Sequence, residues 1–182
     1  MMEIRIHGRG GQGAVTTGQI LAIAAFNDGR FSQTFPMFGV ERAGAPVQAF
    51  VRISEEQINA RSQVYDPDVV MVLEPSLIDS VDVTDGLKKG GKIIVNTNKK
   101  ATELRLKGDF ELYTVDATTI AMGIFKKPIV NTAMLGAFAS VTKSVSLDAL
   151  EKAIDERFVK TKGVEIANLN KQAIRQVYQQ IK

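Results

Sequence analysis

The segment GRGGQG, residues 8–13, is where this chain most plainly could do chemistry. Gly8, Gly10 and Gly13 hold a G-x-G-x-x-G spacing, Gly11 adds a fourth glycine, and Arg9 and Gln12 are the only side chains of any size. Glycines in such a loop permit a tight turn and let the backbone approach an anion, and a helix starting behind them adds free N–H groups and a partial positive charge. Arg9 would add a charge-assisted contact. Two common readings of the loop lack the residues that usually complete them. A dinucleotide site needs an Asp or Glu about 20 residues further on, at the end of the second strand; there the chain reads Phe31-Ser32-Gln33-Thr34-Phe35-Pro36, and Asp28 lies ahead of that strand. A phosphate loop of the Walker type needs Lys and Ser or Thr where Ala14 and Val15 stand. What remains is a loop that offers backbone donors to another anion or to a partner chain, or a turn that is only structural.

Other residues invite chemistry less strongly. His7 has no nucleophile or orienting carboxylate near it in sequence and reads as structural. Glu74 closes an apolar run at the edge where α/β sheets place ligands, or is a turn residue before Pro75. Thr16 and Thr17 could reach a bound anion or bond their own helix backbone. Asn131 and Thr132 read as helix caps. Lys99-Lys100 and Lys126-Lys127 are short charge runs that water satisfies, although either could meet an acidic partner.

Those residues need elements to position them. Ile4 and Ile6 alternate with Arg5 as in a strand, and residues 14–27 carry apolar positions at helical spacing until Asn27-Asp28-Gly29. Strands are predicted at 31–35, 47–53, 69–73, 92–95 and 111–115, with a loop at 36–46 bounded by Pro36 and Pro46. Ser54 with Glu56 and Gln57 suggests a capping box and a short helix to about Arg61. Helices are predicted at 117–124, over AMLGAFASVTK, and from Ser146 to about Phe158. A last helix aligns Val164, Ala167, Ile174, Val177 and Ile181, a stripe expected to pack against the sheet. Residues 1–182 are thus expected to form a single three-layer, Rossmann-like α/β domain with a mostly parallel sheet and C-terminal helices.

Composition narrows the chemistry. The 182 residues include no cysteine, which removes thiolate nucleophiles and iron–sulfur ligands, and one histidine, too few for an ordinary zinc site. A balance of 23 basic against 20 acidic side chains argues against nucleic acid as the main partner. No apolar stretch approaches the ~18 residues of a membrane span and no signal-peptide pattern opens the chain, so a cytoplasmic address is expected.

Four ordered blocks, GRGGQG with AVTTGQILA, FPMFGVERAGAPVQAFVRIS, DVVMVLEPSL and PIVNTAMLGAFA, resemble the gamma subunit of the 2-oxoacid:ferredoxin oxidoreductases, the pyruvate:ferredoxin (pyruvate synthase) type above all. The resemblance runs over essentially the whole chain. It implies a subunit of a complex that oxidatively decarboxylates pyruvate, transfers the acetyl group to coenzyme A and delivers two electrons to ferredoxin. Alpha, beta and delta-type subunits would then hold thiamine diphosphate and the iron–sulfur clusters, with no cofactor bound tightly by this chain alone and no membrane or nucleic acid involved. Gly8, Arg9, Gly10, Gly11, Gln12 and Gly13 would meet coenzyme A or a neighbouring subunit, and Phe38, Glu41 and Arg42 would form an interface. Two alternatives stay open: the same subunit in a branched-chain 2-oxoacid enzyme, and a stand-alone nicotinamide-dependent oxidoreductase.

Overall fold

The computed structural model describes residues 1–37 and 43–181. Among the described residues apolar alternation builds six strands, β1 (Met2–Arg9), β2 (Phe31–Pro36), β3 (Pro46–Ser54), β4 (Val69–Val72), β5 (Gly91–Asn96) and β6 (Phe110–Val115), in one sheet of order β2-β3-β1-β4-β5-β6. β1, β4, β5 and β6 pair in parallel, while β3 runs antiparallel to both of its neighbours. The sheet is therefore mixed, with only β3 against the common direction. After β1 the chain turns to β2 at one edge, and the later strands build toward the other. The connections part at the carboxyl ends of β1 and β4, the position where α/β sheets open a ligand crevice.

One face of the sheet is apolar and lies under helices. Ile4, Ile6, Ala49, Val51, Ile53, Met71 and Ile94 form one cluster with α1 (Ala14–Asn27), α2 (Ala117–Phe125), α3 (Ala133–Thr142), α4 (Leu147–Lys162) and α5 (Val164–Gln180). The stripe of α5 does not reach the sheet. It packs on α3, which is buried from Ala133 to Ala139 and lies between. Gly136 makes this possible: a Cβ there would stand 2.1 Å from the Ile174 carbonyl oxygen, so only a bare backbone lets the two helices approach so closely.

The third layer, on the other face, is made of turns. Val70, Val72, Ile93 and Val95 are covered by Leu77, Val83 and neighbouring apolar side chains from segments that include single turns of 3-10 helix at Pro75–Asp79 and Ala101–Glu103. The helix expected after Ser54 does not form. Its hydroxyl accepts the Glu56 N–H at 3.1 Å, a local turn that competes with helix initiation. The chain then continues irregularly to Ser62 and Gln63, whose carbonyls receive Arg52.

Candidate functional site

β1 delivers the glycine loop to the crevice. Gly11 (φ 91°) and Gly13 (φ 84°) occupy the left-handed region, which other residues adopt only with strain. Gly13 is the N-cap of α1 and provides no side-chain acceptor, so the first-turn N–H groups have no cap. The loop itself is braced. Gln12 N–H donates to the Arg9 carbonyl at 2.9 Å, and Arg9 N–H donates to Gln12 Oε1 at 2.8 Å. Gly10 N–H reaches the Ala45 carbonyl at 2.9 Å, and Gly44 N–H the Gly10 carbonyl at 3.2 Å.

The two side chains of the loop act as struts. Gln12 Nε2 donates to Glu74 Oε2 at 2.9 Å, joining the loop to the exit of β4. Arg9 donates to the Gly44 carbonyl and to Ser76 Oγ, each at 3.0 Å. Arg9, expected as an anion ligand, is thus committed to protein acceptors at the surface. Partial burial pulls the Glu74 carboxyl upward, but hydrogen bonds from Gln12 and Ser76 and the charge of Arg9 outweigh it and hold it below the ordinary range. Glu74 is both a ladder to the glycine loop and the cap of the following 3-10 turn, where it accepts the Ser76 N–H.

On the far side of the loop lies a cleft of about 630 Å³. Gly11, Gln12, Gly13 and Thr16 form one wall, Phe125, Ile129 and Asn131 another, and Arg157, Phe158 and Lys162 of α4 close it. Its lining is mainly apolar, with cations at one rim and the start of α1 at the other. Asn131 does not cap a helix. Its Nδ2 occupies the space beside Gly13, where a Cβ would stand 2.5 Å away, and its Oδ1 is buried with no hydrogen-bond partner among the described residues. Thr132 is the N-cap of α3 but donates its hydroxyl to Asn170 instead of accepting from the helix. Thr17 bonds its own backbone at Gly13, 3.1 Å away, and reaches the Asn131 carbonyl at the same distance. From sequence, Gln12 is expected in the site as part of the loop but its brace to Glu74 is not, and Asn131 reads only as a helix cap, since the partners of both lie far along the chain.

His7 is structural in its surroundings. It is 2% exposed, and its Nε2 accepts from Arg5 Nε at 3.1 Å, which requires an unprotonated nitrogen. Burial first, then the charge of Arg5, push its pKa down to about 3 against a small pull from Asp82. Phe38, Glu41 and Arg42 lie outside the described residues. Among the described residues, no group of three or more His, Cys, Asp or Glu side chains could hold a metal ion, and no helix is long and apolar enough to cross a membrane.

A mixed, mostly parallel sheet with a braced glycine loop at its switch point and helices over one face defines a Rossmann-like α/β domain. The family model for pyruvate ferredoxin/flavodoxin oxidoreductase matches residues 3–180, and the chain belongs to that family. It is 53% identical over 182 residues to the pyruvate synthase subunit PorC of Methanothermobacter marburgensis, covering 100% of this chain and 98% of the relative. It is 51% identical to the common gamma subunit of the pyruvate and ketoisovalerate oxidoreductases of Thermococcus litoralis, covering 98% of this chain and 96% of that one. The crystal structure of the pyruvate oxidoreductase subunit PORC from Thermotoga maritima superposes with a TM-score of 0.86 at 42% identity, covering 100% of this chain and 97% of that chain. The chain is a gamma-type subunit of a 2-oxoacid:ferredoxin oxidoreductase complex.

Proposed function

We propose that this chain is the gamma subunit of a pyruvate synthase, and that it assists assembly and contributes its glycine loop to the binding of coenzyme A. The complex would convert pyruvate and coenzyme A to acetyl-CoA and CO2, with two electrons passing to ferredoxin. Alpha, beta and delta-type partners would supply thiamine diphosphate and the iron–sulfur clusters, since this chain has no cysteine to ligate one. The isolated chain is proposed to be inactive.

The observation that carries the coenzyme A reading is the uncapped start of α1, set behind left-handed glycines and facing the cleft. A diphosphate fits such amides without the ribose carboxylate that a nicotinamide site requires. Arg157 and Lys162 offer further positive charge, and the apolar wall suits an uncharged arm of the same ligand. The likeness to a subunit common to pyruvate and ketoisovalerate enzymes favours a second reading beside the first, in which the same gamma chain serves a branched-chain 2-oxoacid complex. The choice of oxoacid then belongs to other subunits.

The test is Thr16→Glu in the assembled complex. A carboxylate in the first turn suits the helix and preserves the fold, but it repels a diphosphate. The KM for coenzyme A should rise by about tenfold or more, the loss of ~1.4 kcal/mol of binding, while the KM for pyruvate holds. An unchanged coenzyme A dependence with the complex intact would leave assembly as the sole role.

A further inference from the structure

The two edges of the sheet differ in chemistry. β6 carries Glu111, paired with Lys92 of the neighbouring β5, and Asp109, paired with Lys89, stands just ahead of it. β2 carries no charge across Phe31-Ser32-Gln33-Thr34-Phe35-Pro36, and the flanking Arg30 is occupied by Glu55 and the Ser144 carbonyl of its own chain. Soluble proteins normally protect an open edge with charge, because its unpaired backbone groups invite another strand.

The hydrogen bonds show which groups are open. Met37 N–H donates to the Gln48 carbonyl, one step beyond the Pro36–Ala49 pair, so odd-numbered residues of β2 turn their N–H and C=O toward β3. Ser32 and Thr34 therefore turn theirs outward, and Pro36, at the next outward position, lacks only an N–H that the sheet does not use. The strand also reads symmetrically about Gln33: aromatic, hydroxyl, amide, hydroxyl, aromatic. A two-fold interface requires such self-complementarity.

We propose that β2 is the docking edge for a second copy of this chain, paired antiparallel about a two-fold axis at Gln33. Ser32 and Thr34 then exchange backbone hydrogen bonds with Thr34 and Ser32 of the second copy. Phe31, 49% exposed, lies across from its partner's Phe35 on the face that Gln33 shares, where cross-strand aromatic pairs stabilise. Beside the edge, Ile23 and Phe26 of α1 with Ser32 and Thr34 bound a shallow groove of about 400 Å³. Pairing brings the two grooves together across the axis and covers Phe26, otherwise 72% exposed. This inference stands apart from the coenzyme A assignment.

The full chain, purified alone, should sediment as a dimer. Gln33→Glu is the discriminating variant. Gln33 Oε1 already accepts from Arg52 at 3.2 Å, so a carboxylate preserves or strengthens that contact within one copy while placing two negative charges on the axis. The dimer dissociation constant should rise by about tenfold or more with the thermal midpoint held. Because the chain has no cysteine, Gln33→Cys provides a second readout. A non-hydrogen-bonded pair on the axis has Cα atoms about 4.5 Å apart, within disulfide reach, and mild oxidation should cross-link two copies. Phe31→Cys, facing residue 35 of the other copy, should not cross-link to itself. A monomeric wild-type chain at its solubility limit would overturn the proposal. So would a dimer that Gln33→Glu leaves intact and Gln33→Cys does not cross-link.

Discussion

β1 and β3 carry different chemistry on their two faces. Toward the helices they present Ile4, Ile6, Ala49, Val51 and Ile53, which no water reaches. On the opposite face Glu3 stands across from Arg52 and Arg5 from Phe50, and Arg5, His7 and Arg52 are nonetheless buried. The aliphatic face is held by area removed from water, which is spread over many contacts and indifferent to pH. The polar face is held by individually placed donors and acceptors, so each of its members matters more when a single partner is removed.

Arg52 should show the largest effect. Its guanidinium is 1% exposed and donates to Glu3 Oε1 at 2.8 Å, the Ser62 carbonyl at 2.8 Å and the Gln63 carbonyl at 3.2 Å, with its carbon 5.3 Å from the centre of the Phe35 ring. Arg52→Ala leaves a carboxylate and carbonyls without their donor and should cost about 3–5 kcal/mol in a denaturant titration. A loss below ~1 kcal/mol would mean that water replaces the guanidinium and that this face is not closed. The helix side has its own point of sensitivity. Gly136→Ala forces a methyl against the Ile174 carbonyl and should cost about 3 kcal/mol through separation of α3 from α5, read as a lower denaturation midpoint.

These two positions mark where the sequence ceased to be legible. Apolar alternation and glycine spacing located the strands, the loop and α1, because each signal is local. Arg52 alternates with the apolar Val51 and Ile53, and nothing in that local pattern says that its guanidinium is buried. Two of its acceptors, the Ser62 and Gln63 carbonyls, lie just past the helix that Ser54, Glu56 and Gln57 suggest, and a third, the Glu3 carboxylate, lies 49 residues back. Gly136 lies inside AMLGAFASVTK, predicted as a helix, and nothing local announces that another helix arrives there. The bracing of the candidate site was hidden for the same reason: Gln12 and Glu74 are 62 residues apart, and Asn131 meets Gly13 from across the fold.

His7 allows the two faces to be separated by pH. The unfolded chain takes a proton on this histidine near its ordinary 6.5, whereas the folded chain resists until about 3. Below pH 6.5 the unfolded state therefore binds more protons, and stability that is complete above that pH drains away as the solution is acidified. At pH 5 the loss should be about 2 kcal/mol relative to pH 8. His7→Gln offers an acceptor to Arg5 without titrating, and its stability should be flatter over the same interval. Glu74 and Asp82, held below the ordinary carboxylate range, contribute the same sign of dependence only at more acidic pH.

The smallest expected effect completes the comparison. Ile6 immediately precedes His7 on β1 but points into the helix-side cluster. Ile6→Val removes one methylene from that cluster and should cost about 0.5–1.5 kcal/mol. No titrating group shares its face at this position, so the cost should be the same at pH 5 and pH 8, while the parent protein weakens between them. Denaturant titrations of both proteins at both pH values measure the difference directly. A cost that grows at pH 5 would mean that protonation of His7 loosens β1 as a whole and that the two faces yield together. A constant cost means that the strand holds two independent chemistries on alternate residues, and that acid reaches only one of them.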